Sequence, residues 1–182
     1  IYRAMQGVPV TQRYVTVTGR VGQPVLVDTP VGTSLADCIA AAGGVAEGIT
    51  DFTIVKGGPM MGKQLPMDEG LNDCIGKADG GLIVLETEHP LIQFSKKPVE
   101  HMVNQAKSVC IQCSYCTEMC PRFLIGHKMR PHKVMRSMAT QTNGHDLLDA
   151  LLCCECGICE LFACPMLLSP RRINIYVKGL LR

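Results

Sequence analysis

Apolar and polar residues alternate along "RYVTVTGRV", with Val15 and Val17 on one face and Tyr14, Thr16 and Thr18 on the other. A period of two is the mark of a strand with one buried face. "QPVLVD" predicts a second short strand, and Gly22 suits the hairpin turn between them. In "TSLADCIAAAGG" the period lengthens. Leu35, Ile39 and Ala42 share a helical face, Ser34 is placed to cap the start, and Gly43 or Gly44 to end it. "DFTIVKG" and "GGLIVLE" predict further strands, and "GGPMMG" a tight turn whose methionines fill the core edge. A strand pair, a helix and then more strands predict an α+β, β-grasp-like sheet over residues 13–88.

From about residue 97 the alternation stops. "PVEHMVNQAKS" has helical spacing with Pro98 near its first turn, and residues 130–138, 145–152 and 170–181 are spaced likewise. The organisation expected is the end of an upstream domain over 1–12, the sheet domain over 13–88, a linker over 89–97 within "TEHPLIQFSKK", and a helical domain over 98–182. The chain starts without Met and stops within a helical pattern, so a piece of a longer protein is expected.

With 47% hydrophobic and 19% charged residues, the 182-residue chain can bury a core and is unlike a disordered one. A net charge of +2, no Trp, four Phe and four Tyr argue against nucleic acid as a partner. The most apolar stretch, Leu147 to Leu168, is cut by Asp149, Glu155 and Glu160, so no membrane span is expected. Ile1-Tyr2-Arg3 does not open a signal peptide. The eleven cysteines therefore suit a reducing cytoplasm and metal ligation better than secreted disulfides.

Eight of those cysteines form two runs, Cys110-x2-Cys113-x2-Cys116-x3-Cys120-Pro121 and Cys153-x2-Cys156-x2-Cys159-x4-Cys164-Pro165. A [4Fe–4S] cube takes one thiolate on each of four irons, and steps of three residues let one loop reach three corners. In two-cluster ferredoxins the fourth cysteine of each run serves the other cluster. By that rule Cys110, Cys113, Cys116 and Cys164 hold one cluster, and Cys153, Cys156, Cys159 and Cys120 the second. Pro121 and Pro165 turn the chain beyond the ligand, and Gly157 removes a side chain where the loop presses on the cluster. Cys154 competes with Cys153, which keeps the register. Cys38, Cys74 and Cys154 are left over as small buried apolar residues. The rival reading is zinc or disulfides stapling an interaction module; a triple C-x2-C-x2-C leaves a thiol over in each zinc knuckle.

"PVTQRYVTVTG", "GGPMMG" and the two cysteine runs resemble the C-subunit family of the Rnf electron-transport complex. Within it, "CTEMCPRFLIGHKMRPHKVMR" and "LLCCECGICELFACPMLLSPRRINIYVKGLL" look most like the cobalamin (corrin) reductase branch of the propanediol-utilisation microcompartment. The resemblance covers nearly the whole chain. It implies an SLBB (soluble-ligand-binding β-grasp) domain followed by a helical two-cluster ferredoxin domain. It further implies an upstream domain for FMN and NADH, for which no glycine-rich dinucleotide loop appears here. The implied task is one-electron relay to cobalamin in a bacterial microcompartment, beside shell or diol dehydratase-associated proteins. The alternative within the family is NADH:ferredoxin electron transfer of the Rnf type.

Other features admit two readings each. "GGPMMG" is either a plain turn or a contact for flavin, corrin or a partner. Lys128, Arg130, His132, Lys133 and Arg136, like Arg171 and Arg172, either line a solvated helix face or act on a nearby cluster or an acidic partner. The five histidines are scattered and expected to be structural or exposed, and no Ser–His–Asp or paired-carboxylate arrangement appears.

Overall fold

The computed structural model describes residues 1–141 and 144–182. They divide into two units, Ile1–Lys96 and Lys97–Arg182.

The first unit contains α1 (Tyr2–Met5), β1 (Gln12–Gly19), β2 (Val25–Pro30), α2 (Leu35–Ala41), β3 (Phe52–Lys56), β4 (Lys63–Pro66), α3 (Met67–Leu71), β5 (Gly81–Glu86) and α4 (Pro90–Ser95). The sheet order is β2-β1-β5-β3-β4. β1 and β5 run parallel, from Thr16↔Gly81 to Gly19↔Val84, and the other neighbours are antiparallel. The alternation in β1 does what it predicts: Val15 and Val17 are fully buried and Tyr14 is exposed. They join Leu35, Ile39 and Ala42 of the α2 segment, Ile54 of β3, and Leu82 and Val84 of β5 in one core. Ser34 Oγ accepts the Asp37 N–H at 3.0 Å, capping α2. Its far end closes in a Schellman pattern, Gly44 N–H to Ile39 O and Gly43 N–H to Ala40 O, both 3.0 Å.

Several details differ from the sequence expectation. Gly22 is needed for close approach rather than for a turn conformation: a Cβ there would lie 2.8 Å from Gly43 O, and its N–H reaches Gly44 O at 3.0 Å. β4 was not expected; "KQLP" sends only Leu65 into the core and forms a short edge strand ending in proline. The segment 89–97, expected as a linker, carries α4. His89 Nδ1 accepts the Leu91 N–H, Ile92 is buried, and the Ser95 hydroxyl bonds Gln64. Met61 stands exposed at the β3–β4 turn instead of filling the core edge. Cys38 is buried as expected, whereas Cys74 is exposed. Lys56 Nζ reaches Asp73 and Asp79, each at 3.0 Å, and Cys74 O at 2.7 Å, pinning the segment before β5.

The second unit contains α5 (Val99–Val109), α6 (Tyr115–Glu118), α7 (Pro121–Leu124), α8 (Pro131–Thr140), α9 (Gly144–Leu147), α10 (Ile158–Leu161) and α11 (Pro170–Leu180). The pattern over 145–152 is part α-helix and part 3-10 helix, the latter over Leu148–Leu152. Proline occupies the first turn of α7, α8 and α11, where a missing N–H costs nothing. Met102 and Ala106 of α5, Val134, Met135 and Ala139 of α8, and Ile173 and Val177 of α11 make the apolar core. The cysteine runs are the connections among these helices.

Candidate metal centre

The two runs adopt the same backbone. Two residues after the first cysteine, Gln112 and Glu155 have φ of 56° and 61°. One residue after the second, Ser114 and Gly157 have φ of 64° and 90° and begin α6 and α10. Left-handed residues alternating with ordinary ones turn successive N–H groups toward one side, a concavity that suits anionic sulfur. Each loop thus wraps the space faced by its own cysteines.

Cys110, Cys113, Cys116 and Cys164 line one cavity, with about 310 Å³ of empty space that is partly open to solvent. Cys153, Cys154, Cys156, Cys159 and Cys120 line a second, of about 300 Å³. Each cavity takes its last cysteine from the opposite run. Cys153 and Cys154 both border the second, and the Glu155 N–H points at Cys153 Sγ at 3.4 Å. The Leu168 N–H approaches Cys164 Sγ at the same distance. The longer gap before Cys164 is absorbed at the end of α10. Phe162 N–H and Ala163 N–H share Ile158 O, and Phe162 is 70% exposed.

Among the described residues no two cysteines are joined as a disulfide. Among the described residues no three His, Cys, Asp or Glu side chains cluster tightly enough for a single metal ion. The wider cavities, each ringed by four cysteines of the expected set, fit a polynuclear sulfide cluster. Burial, with the neighbouring cysteines adding to it, pushes the Cys116 thiol up to about 12, and burial also raises Cys159. Thiolates in such places need cationic partners, which iron would supply.

Arg130, His132 and Arg171 are turned to partners or to a cavity rather than to a solvated helix face, whereas Lys128 is exposed. Arg130 is clamped by Asp149 at 2.8 Å and Asp146 at 3.2 Å. His132 lines the first cavity, and its Nδ1 pairs with Thr117 Oγ1 at 2.6 Å. Burial, helped by Lys133 and Arg130, holds His132 below the usual imidazole value. Arg171 lines the second cavity and donates through Nε to Glu155 O at 2.8 Å. Glu160, buried beside Cys159, accepts the Arg172 N–H at 3.0 Å, and burial raises its pKa. Lys178 Nζ bridges Glu155 and Cys153 O, both at 2.8 Å. Glu155, Glu160 and Lys178 were not anticipated. Their only sequence signal is proximity to a cysteine or to the end of the chain.

Residues 109–169 match the family described as 4Fe-4S dicluster domain, and residues 14–64 match the SLBB domain. The chain is an SLBB domain followed by a 4Fe-4S dicluster domain. It is 42% identical, over 97% of its length, to the cobalamin reductases PduS of Salmonella typhimurium and Citrobacter freundii. The chain spans 39% of the length of each. It is also 30% identical, over 80% of its length, to the C-subunit of the ion-translocating oxidoreductase complex of Cronobacter sakazakii, of which it spans 17%. The expected fold class and family resemblance are therefore both found. Among the described residues no helix is long and apolar enough to cross a membrane.

Proposed function

We propose that this chain is the electron relay of a cobalamin reductase. The observation that carries the reading is the exchange of the last cysteine between two cysteine-lined cavities. In this reading Cys110, Cys113, Cys116 and Cys164 hold one [4Fe–4S] cluster, and Cys153, Cys156, Cys159 and Cys120 hold the other. When bound, each cluster supplies one-electron redox chemistry. The chain's own residues do the rest. The left-handed loop positions aim N–H groups inward, and Ala163, Leu168 and Met135 give the first cavity an apolar wall. NADH and FMN act on the protein outside residues 1–182, and cobalamin is the acceptor, in a microcompartment beside its shell or the diol dehydratase. Similarity to the two cobalamin reductases supports that acceptor over the Rnf-type alternative, since it is higher and covers more of the chain.

The test is EPR of the reduced, oxygen-protected full-length protein before and after adding cob(III)alamin, with iron and acid-labile sulfide measured alongside. Two interacting S = 1/2 centres that reoxidise on addition are expected. Centres that stay reduced would remove the cobalamin assignment, and absence of iron and sulfide would remove the relay.

A further inference from the structure

The two cysteine loops and the helices that follow them form a structural repeat. α8 begins Pro131-His132 and α11 begins Pro170-Arg171, so His132 and Arg171 occupy equivalent places at the second helical position. Each lines the cavity of its own run, His132 the first and Arg171 the second. The start of α8 borders both cavities, through His132 at the first and Pro131 at the second, and the start of α11 borders the second through Arg171. The side chains differ in charge. Arginine is cationic at every working pH, whereas histidine above pH 8 is neutral.

The other charges near the second cavity are largely paired. Glu155, which lines it, is neutralised by Lys178 at 2.8 Å. Glu160 holds the Arg172 backbone N–H and feels the charges of both Arg171 and Arg172. Arg130 and Asp149 are ion-paired and line a separate cleft together with Lys128. Among the described residues no lysine, arginine, aspartate or glutamate lines the first cavity. The second cavity therefore carries one cationic side chain that its twin lacks.

We propose that Arg171 makes the Cys153–Cys156–Cys159–Cys120 site the higher-potential member of the pair, so that a relayed electron rests there rather than at the Cys110 site. This rests on the dicluster reading above. Adding an electron increases the negative charge of a thiolate-ligated cluster, and a fixed cation against it favours the reduced form. The step moves one electron from the reduced first site to the oxidised second. No bond forms or breaks, and no proton is needed. Arg171 is a positioning residue that acts through the field it imposes, and the acceptor is expected to dock nearer the second site.

An EPR-monitored redox titration of the cluster-loaded full-length protein at pH 8.5 tests this. Two one-electron transitions are expected. Arg171→Gln should lower the upper one by a factor of ten or more in the reduction equilibrium, 59 mV for one electron, and leave the lower in place. Arg171→Lys, which keeps the charge, should largely restore it. The mirror variant His132→Arg should raise the lower transition and narrow the gap, and it decides the matter if Arg171→Gln fails to retain iron. Unchanged transitions in both variants with full iron content, or movement of the lower transition in Arg171→Gln, overturn the proposal while leaving the relay intact. Wild-type protein without iron and sulfide would overturn the dicluster reading itself.

Discussion

Ser114 and Gly157 stand at equivalent points of the two loops, each left-handed, but only one of them is glycine. The left-handed conformation costs a side-chain-bearing residue about 1–2 kcal/mol. Gly157→Ala should therefore destabilise the second unit by about 1–2 kcal/mol, read by chemical denaturation of the cluster-loaded protein; an unchanged midpoint would mean that the backbone there relaxes freely. The neighbouring thiols give a sharper test. Cys153 receives the Glu155 N–H, whereas Cys154 shares the cavity wall and hydrogen-bonds the Cys156 side chain. Cys153→Ser is expected to lose about half of the iron, since each cluster holds four of the eight irons, and Cys154→Ser to keep nearly all. The reverse pattern in an iron assay would move the ligand by one residue. Cys164→Ser should likewise lose about half, but from the cavity of the opposite run. EPR of the surviving centre shows this, because it should match the centre lost in Cys153→Ser.

At the scale of elements, the sheet and long helices were legible because each repeats its period several times. β1 shows two inward valines separated by one outward residue, and α2 carries its own cap and its own glycine stop. β4 and α4 were not legible. Each buries a single apolar side chain, Leu65 and Ile92, and one residue has no period. The spacing rule of two-cluster ferredoxins assigns Cys120 and Cys164 across the runs, and each lines the cavity of the opposite run. The equivalence of His132 and Arg171 was not legible, because it exists only once α8 and α11 are placed against their cavities. Nor was the Lys56–Asp73–Asp79 cluster, whose members lie 17 and 23 residues apart. Burial works to lower the Lys56 pKa, but its hydrogen bonds to Asp79 and Asp73 outweigh this and raise it. The Cys74 N–H, and after it Lys56, hold Asp73 below its ordinary 3.8. A depressed carboxylate contributes stability above its unfolded pKa and loses it as pH falls through the folded value. The first unit should thus weaken below about pH 4, and Asp73→Asn should flatten that limb of the stability curve. Lys56→Met should cost about 1–2 kcal/mol, reduced from a fully buried pair by partial solvent exposure. Thermal denaturation against pH reads both effects.

For the whole molecule, the two units stand on different physics. The first closes a sheet and α2 over a continuous apolar core of large side chains, among them Leu35, Ile54 and Leu82. The second has 86 residues, a size at which burial alone leaves a narrow stability margin. Its helical core of α5, α8 and α11 is apolar, but the stretches joining those helices are organised around the two cavities. Without iron those stretches would set eight thiols around empty space, among them Cys116, Cys120 and Cys159, each 7% exposed. Metal binding to such a site is largely folding free energy. The cluster-loaded chain should accordingly unfold in two resolvable transitions. Removing iron with a chelator under reducing conditions should abolish or sharply lower the one that follows helical signal and visible absorbance. The transition that follows the sheet should stay where it was, because no residue of the first unit lines either cavity among those described. Calorimetry combined with circular dichroism separates the outcomes. A single transition that shifts as a whole on iron removal would mean that the SLBB domain depends on the clusters for its stability, and would contradict the division of labour argued here.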